Sequence, residues 1–259
     1  MSTIAVGDIH GNVAALDDLL RQLRDEVDKH DTVAFLGDYI DRGPDTKGCI
    51  EAILEFQRDV AGDVVCLRGN HEDWFFRTLR DYRRHSWLLG MDGLVTIRSY
   101  SANAAEALQE AVHSAGLQLY LTHPALPYEL FFKEMPERHL QFFEGLVPFY
   151  QSADCICVHG GLDPQIARME DQSVETLIWG AHGFSDQYTG TETIVYGHWN
   201  NADVDANGWP RPRIVGRTIG LDTISHGVLT AMRLPDGRLF QSARYASSQI
   251  FQTGSGITP

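Results

Sequence analysis

The sequence predicts an α/β fold built on a mainly parallel sheet, and two patterns support this prediction. In the first 85 residues, a short apolar run, a polar cluster and an amphipathic helical stretch follow one another three times. Strands that alternate with helices in this way form right-handed βαβ units and parallel sheets. From Asp154 onward, short β runs separated by turn residues replace the helices.

The three units can be assigned in order along the chain. A strand over 3–6 leads to a helix over 13–27, where Leu16, Leu19 and Leu23 recur at helical spacing and Asn12 is a suitable N-cap. The other two units pair a strand over 32–36 with a helix over 46–58, and a strand over 64–67 with a helix over 72–84.

The rest of the chain is less regular. The region 101–150 is predicted to be a mainly helical insertion or cap, broken near Pro124 and Pro127. Asp236-Gly237 supplies the positive φ values of a tight hairpin turn. The small polar tail 253–259 is expected to be frayed. The later strands are predicted over 155–158, 193–196, 219–221, 228–234 and 238–242.

Composition limits the class of protein. We expect a single domain over 1–259, because no linker or composition break divides the chain. A formal net charge of −14 argues against a nucleic-acid partner, and no apolar run approaches the ~18 residues of a membrane span. The cysteines lie in apolar stretches and are expected to be buried, reduced thiols, which suits the cytoplasm. They are Cys49, Cys66, Cys155 and Cys157.

Polar clusters follow five of the predicted strands, where ligands gather in such sheets. A single cluster of this kind is more often a helix cap or a core residue than a ligand site, but five in succession favour a site. Carboxylate, imidazole and amide ligands suit manganese, iron or zinc, and a bridging carboxylate would let two ions share them. The candidate ligands are Asp8, His10, Asp38, Asn70, His159 and His198.

Five motifs together resemble the signature set of the phosphoprotein phosphatases, in particular the bacterial-type serine/threonine phosphatases of the calcineurin-like metallophosphoesterase superfamily. They appear in the order of that family and span residues 7 to 198. The resemblance implies a four-layer α/β/β/α sandwich, in which helices flank two mixed sheets. A single doubly wound sheet would also fit the strand–helix rhythm. The motifs are GDIHG (7–11), GDYIDRGP (37–44), RGNHE (68–72), HGG (159–161) and GH (197–198).

The resemblance also implies residue roles. Asp8 and His10 would hold one metal ion and Asp38 would bridge to the second, which Asn70, His159 and His198 would complete. His71 would be the general acid, oriented by Asp41, and a metal-bridging hydroxide would attack phosphorus directly. Arg42 and Arg68 would bind the phosphate. Asp41 and Arg42 have an alternative role as a loop pair that holds the turn. The cofactors would be two divalent ions, with Mn²⁺ the first choice and iron or zinc as alternatives.

The sequence departs from the family after Trp179, where many members carry a phosphate-binding arginine. The segment Trp179-Gly180-Ala181-His182-Gly183 contains no arginine. Trp199 has two interpretations, as a base-stacking residue or as packing at the rim, and Asp222 is either a support for the ligands or a turn former. The candidates to replace the missing arginine are His182, Arg168, Arg211, Arg213 and Arg217.

The leading functional hypothesis is a metal-dependent phosphatase of phosphoserine and phosphothreonine in proteins, with phosphotyrosine as a further option. One alternative is a symmetrical dinucleoside polyphosphate hydrolase, which uses the same metals on a pyrophosphate bond. The alternative from another class is an inactive phosphate-binding regulatory protein. The expected partner is a phosphorylated protein or a small phosphate ester.

Overall fold

The computed structural model describes residues 2–200 and 202–245. The predicted tail 253–259 lies outside these residues. The described residues form two five-stranded sheets and one two-stranded ribbon. The strands are β1 (Thr3–Val6), β2 (Thr32–Phe35), β3 (Asp63–Cys66), β4 (Phe149–Gln151), β5 (Ile156–Val158), β6 (Ile194–Tyr196), β7 (Asp203–Val204), β8 (Pro210–Arg211), β9 (Arg213–Val215), β10 (Thr218–Gly220), β11 (Thr230–Leu234) and β12 (Arg238–Gln241).

Helices lie between residues 13 and 144 and again between residues 174 and 187. Two short 3₁₀ turns, Met169–Asp171 and Ile224–His226, add to them. The helices are α1 (Val13–Arg24), α2 (Thr46–Asp59), α3 (Asn70–Arg80), α4 (Ser86–Gly90), α5 (Gly93–Tyr100), α6 (Ala102–Ala115), α7 (Gln118–Leu121), α8 (Glu129–Phe132), α9 (Glu137–Glu144), α10 (Val174–Trp179) and α11 (Phe184–Gln187).

The first sheet has the strand order β12-β11-β1-β2-β3. Strands β1, β2 and β3 run parallel, as the three strand–helix units predict. The hairpin β11–β12 adds two antiparallel strands beside β1, so the sheet is mixed. Helix α1 begins after Asn12, whose side chain accepts a hydrogen bond from the Ala15 amide, as expected of an N-cap.

The second sheet has the order β4-β5-β6-β10-β9, with β5, β6 and β10 parallel and both edge strands antiparallel. Side chains of both sheets share one buried apolar layer, for example Ala5 and Leu36 with Val195 and Leu221. The two sheets therefore pack face to face.

Helices cover both outer faces of this sandwich. Leu16, Ile50 and Phe75 from α1, α2 and α3 pack on the first sheet, and Leu177 and Phe184 from α10 and α11 pack on the second. The result is the four-layer α/β/β/α sandwich that the family resemblance implies, which confirms that prediction over the single doubly wound sheet.

The remaining differences from the sequence-based expectations are local. Helices continue from Ser86, ahead of the predicted insertion, and β4 occupies its last residues. Strands β7, β8 and β9 lie in a Gly- and Pro-containing stretch without clear alternation, so they give no sequence signal. All four cysteines are buried and free. Among the described residues, no helix is both long and apolar enough to cross a membrane.

Candidate active site

The polar clusters that follow the strands meet at one edge of the sandwich. Asp8 and His10 follow β1, Asp38 follows β2, and His159 and His198 follow β5 and β6. Asn70 opens helix α3 directly after β3, where Gly69 is the N-cap residue. The carboxyl ends of parallel strands meet at the same sheet edge, which explains why sequence-distant side chains converge here.

Asp38 lies between two groups of potential metal ligands. Its Oδ2 atom is 3.5 Å from His10 Nε2, and its Oδ1 atom is 3.3 Å from His159 Nε2. Ligand atoms of Asp38, His10 and His71 lie within 4.8 Å of one another, as do those of Asp38, His159 and His198. One carboxylate thus contributes to both groups, which is the arrangement that two adjacent cations require.

Backbone carbonyls fix the orientation of two of these histidines. The Nδ1 atom of His10 lies 3.0 Å from the Ile40 carbonyl oxygen, and that of His159 lies 2.9 Å from the Leu36 carbonyl oxygen. In the neutral imidazole that binds a metal, an Nδ1–H that donates to a carbonyl leaves Nε2 as the unprotonated nitrogen, which can serve as the ligand atom. Both Nε2 atoms face Asp38.

Asn70 and Asp8 complete the surroundings of the second group. The Oδ1 atom of Asn70 is 3.0 Å from His159 Nε2 and 2.9 Å from His198 Nδ1. Asp8 accepts a hydrogen bond from the His198 amide through Oδ2 at 2.9 Å. The Oδ1 atoms of Asp8 and Asp222 are buried without a hydrogen-bond partner among the described residues. Buried carboxylate oxygens without a donor fit a site built for a cation.

The pKa shifts in this cluster also indicate a cation site. Burial and the neighbouring charge of Asp222 hold the pKa of Asp8 well above its usual range. For His159, burial is outweighed by the negative charges of Asp38 and Asp8, which raise its pKa to about 10. Protons therefore take the place of positive charge that divalent ions would supply, so the residues present fit a pair of cations.

His71 and Asp41 form a buried hydrogen-bonded pair beside the cluster. His71 Nδ1 is 2.7 Å from Asp41 Oδ2, and both side chains are fully buried. His71 Nε2 has no hydrogen-bond partner among the described residues and lies 3.9 Å from Asp38 Oδ2. Burial opposes the charged form, but Asp38 and Asp41 outweigh it and raise the pKa of His71. The Nε2 atom of His71 thus faces the ligand cluster, and the neighbouring carboxylates favour the protonated form of its imidazole.

Two residues that support Asp41 are absent from the sequence-based prediction. The Trp87 indole N–H donates to the Asp41 carboxylate at 3.0 and 3.1 Å, and the Thr96 hydroxyl donates to Oδ1 at 2.7 Å. Both come from the short helices α4 and α5, which no local motif marks as part of a site. Together with His71 they satisfy a fully buried carboxylate.

Glu72 is a third residue that the prediction missed, although it belongs to the RGNHE motif. Its carboxylate accepts hydrogen bonds from the amides of Asp38, Tyr39, Ile40 and Gly69, at 3.0, 2.9, 3.3 and 3.0 Å. One side chain therefore holds together the loops after β2 and β3. The available signal was its position as the third residue of α3, where a glutamate typically caps the backbone.

The backbone of the site is strained. Several non-glycine residues adopt positive φ: 47° at His10, 53° at Asp38, 67° at Asp41 and 69° at His198. This region is rare for side chains with a Cβ atom, and such conformations concentrate at functional sites. A side chain at Gly69 would clash with the Asp38 carboxylate. Because glycine has no side chain, the loops that carry these two residues can approach closely.

The two predicted phosphate-binding arginines lie in different surroundings. Arg42 is exposed, and its Nη1 atom is 3.0 Å from His10 Nε2, directly beside the ligand cluster. The guanidinium of Arg68 stacks on the Phe76 ring at 4.7 Å, and its buried Nε has no partner among the described residues. Arg42 is thus placed for an anion at the cluster, whereas Arg68 packs on an aromatic ring in this structure.

The structure also distinguishes the surroundings of three arginines that could replace the missing one. Arg168 pairs with Glu170 and Arg211 pairs with Asp205 on the surface. Arg213 lies across from Asp186, in a cavity that Trp199 and His182 also line.

Comparison with known proteins places these observations in a family. The model of the calcineurin-like phosphoesterases matches residues 1–227. A serine/threonine-protein phosphatase 1 from Salmonella typhimurium is 35% identical over 104 residues, which is 40% of this chain and 45% of that enzyme. The match therefore spans less than half of the Salmonella enzyme.

Other relatives align over nearly the whole chain. An asymmetrical bis(5'-nucleosyl)-tetraphosphatase from Oceanobacillus iheyensis is 22% identical over 89% of this chain and 88% of its own length. A symmetrical bis(5'-nucleosyl)-tetraphosphatase from Pectobacterium atrosepticum is 24% identical over 96% of this chain and 97% of its own length. A crystal structure proposed to be a diadenosine tetraphosphatase superposes with a TM-score of 0.57 at 20% identity, covering 93% of this chain and 92% of that chain.

Proposed function

The chain belongs to the calcineurin-like phosphoesterase family, and from that premise we propose that it is a metal-dependent hydrolase of dinucleoside polyphosphates. The observation that carries the choice of substrate is coverage. Bis(5'-nucleosyl)-tetraphosphatases align over 89–96% of the chain, whereas the serine/threonine phosphatase aligns over 40%. The family identified from the five motifs is confirmed, and the substrate favoured here is the alternative weighed in the sequence analysis.

Asp8, His10, Asp38, Asn70, His159 and His198 would hold the metal centre. Bound divalent ions would supply positive charge to the phosphoryl oxygens and lower the pKa of a water molecule. The protein's contribution is to hold the ligands in place. Carbonyl groups orient His10 and His159, and Glu72 fixes the loop that carries Asp38.

We assign the role of general acid to His71. Its Nδ1 is tied to Asp41, so the proton available for transfer is the one on Nε2, which faces the ligand cluster. The raised pKa of His71 favours the protonated imidazole that this role needs, and the proton would pass from Nε2 to the oxygen of the departing nucleotide. Asp41, held by Trp87 and Thr96, keeps the ring in this orientation.

Arg42 is proposed to bind a phosphoryl oxygen. Its guanidinium lies beside His10 on an exposed loop, so it can contact an anion that enters from solvent. Arg68 would need to leave the Phe76 ring to do the same. Its Nε, which has no partner within the described part of the chain, would then be a donor for the phosphate.

Hydrolysis of phosphoserine or phosphothreonine in proteins remains a second candidate. The identity of 35% with the Salmonella phosphatase is higher than that with the tetraphosphatases, although it covers 104 residues. The same ligand set and general acid would serve either reaction, so the metal centre does not separate the two.

A paired turnover assay tests the choice. Protein loaded with Mn²⁺ is given diadenosine tetraphosphate or a phosphothreonine peptide, each with and without a chelator. Chelator-sensitive cleavage of the dinucleotide, with the peptide little affected, is the expected result. Phosphate release from the peptide alone would replace the proposal with the second candidate.

A further inference from the structure

A cavity of about 270 Å³ adjoins the candidate metal centre at Trp199. The ring centroids of Trp199 and His198 are 4.7 Å apart, so one aromatic ring separates the cavity from the ligand cluster. Trp199 forms part of the wall. The other lining side chains that matter here are His182, Phe184, Asp186, Tyr196 and Arg213.

The inner wall of the cavity is aromatic and rigid. Phe184 and Tyr196 are buried and pack edge to face, with ring centroids 4.9 Å apart. The Trp199 indole N–H donates to the Gly160 carbonyl oxygen at 2.6 Å, which fixes the ring, while 36% of the residue stays exposed. A fixed and partly exposed indole is a suitable surface for stacking a planar group.

The rim of the cavity is charged. Arg213 on β9 and Asp186 on α11 face each other with Nη2 and Oδ1 3.9 Å apart, which is the outer limit of an ion pair. Their side chains are 36% and 64% exposed, so both can contact a ligand. Together they offer hydrogen-bond donors and an acceptor beside an aromatic wall.

We propose that this cavity, here called the base pocket, binds one nucleobase of a nucleotide whose phosphates lie at the metal centre; the proposal rests on the proposed function. The volume falls just below the ~300–1,000 Å³ of ligand pockets, which suits one planar heterocycle rather than a peptide segment. A base uses both parts of the pocket, since its face can stack on Trp199 and its polar edge can bond Arg213 and Asp186. A phenyl ring has no such edge.

Equilibrium binding of ADP and of inorganic pyrophosphate by calorimetry tests the pocket without turnover. Pyrophosphate lacks the adenosine group of ADP, so the ratio of the two affinities isolates the contribution of base and ribose together. Trp199→Ala should weaken the binding of ADP roughly ten- to hundredfold, which is the range for the loss of one base–aromatic stack. Arg213→Ala should weaken it roughly threefold to tenfold. Pyrophosphate affinity should stay unchanged in Arg213→Ala.

Trp209→Ala is the matched control, because this half-buried indole lies outside the base pocket and bonds Gln241. Because Trp199 packs against His198, Trp199→Ala can also weaken the binding of pyrophosphate. In that case the ADP affinity of Arg213→Ala decides whether the pocket binds a base. Equal ADP affinity in the wild type and Arg213→Ala would overturn the pocket. The pocket would also be overturned if both substitutions weakened the binding of phenyl phosphate as much as that of ADP, because the pocket would then accept any aryl ring.

These experiments distinguish a failure of the base pocket from a failure of the proposed function. An enzyme that binds ADP through Trp199 and Arg213 but leaves diadenosine tetraphosphate intact would overturn the proposed substrate and keep the base pocket. An enzyme that cleaves the dinucleotide equally well in both variants would keep the function and overturn the pocket.

Discussion

The Nδ1 atom of His71 and the Oδ2 atom of Asp41 lie 2.7 Å apart in the interior of the protein, where both side chains are fully buried. The bond leaves Nε2 of His71 as the group that faces the ligand cluster. Burial alone would lower the pKa of His71, but the charges of Asp38 and Asp41 outweigh it and raise that pKa. The pair thus fixes the orientation of the imidazole ring, and we expect it to determine which nitrogen transfers a proton.

His71→Asn should remove the general acid and leave the metal centre intact. Turnover of an alkyl phosphate, whose leaving group needs a proton, should fall about 10²- to 10⁴-fold, and p-nitrophenyl phosphate should be affected much less. The measurements are kcat for both esters and metal content by mass spectrometry. His113→Asn, at an exposed position of α6, is the control. Loss of metal, or an equal loss for both esters, would contradict the assignment.

Thr96→Val should lower kcat about three- to tenfold through Asp41, because it removes the 2.7 Å hydrogen bond to that carboxylate while keeping the side-chain shape. It also leaves the Asp41 amide without its 2.8 Å acceptor. Metal content should not change, and Thr96→Ser should restore most of the activity. If Thr96→Ser were as slow as Thr96→Val, packing rather than the hydroxyl would be responsible.

Asp38→Asn should cost the protein at least one metal ion. The carboxylate faces both His10 and His159, and an amide offers neither its charge nor two equivalent oxygens. The ratio of bound metal to protein after dialysis measures this directly. Asp25→Asn, at the exposed end of α1, should retain the wild-type ratio. A full complement of metal in Asp38→Asn would exclude a bridging role.

Metal binding should release at least one proton at pH 7. The pKa of His159 is raised to about 10 in the metal-free protein, so its imidazole is charged, whereas a metal ligand must be neutral. Apparent affinity should therefore rise as pH increases from 6 towards 9. Calorimetric titration with Mn²⁺ in two buffers of different ionisation enthalpy counts the protons. Identical heats in both buffers would contradict this account.

Glu72→Ala should destabilise the fold by about 3 kcal/mol or more, since four buried amides lose their acceptor. Two of these amides belong to Asp38 and Gly69, so metal affinity should fall as well. Urea unfolding of the metal-free protein isolates the stability effect. Glu110→Ala on the exposed face of α6 should change stability by less than about 0.5 kcal/mol. Similar unfolding midpoints for the two variants would show that water replaces Glu72.

The sequence by itself determined the family, the first three strand–helix units and the identity of the candidate ligands. Each of these depends on residues close together in the chain: the GDIHG and RGNHE motifs at strand ends, and the Asn12 cap that begins α1. Local patterns of this kind are readable because strand and helix periodicity are local properties. The roles of the ligands stay predictions that the experiments above address.

Only the tertiary structure decided which distant groups support the site. Trp87 and Thr96 reach Asp41 from positions 46 and 55 residues further along the chain, and neither carries a local signal. Likewise, Arg213 and Trp199 line one cavity, although Arg213 lies on β9 and Trp199 follows β6, and β10 separates these two strands in the second sheet. Contacts of this kind depend on how the two sheets pack, and packing is a property of the whole chain rather than of any segment.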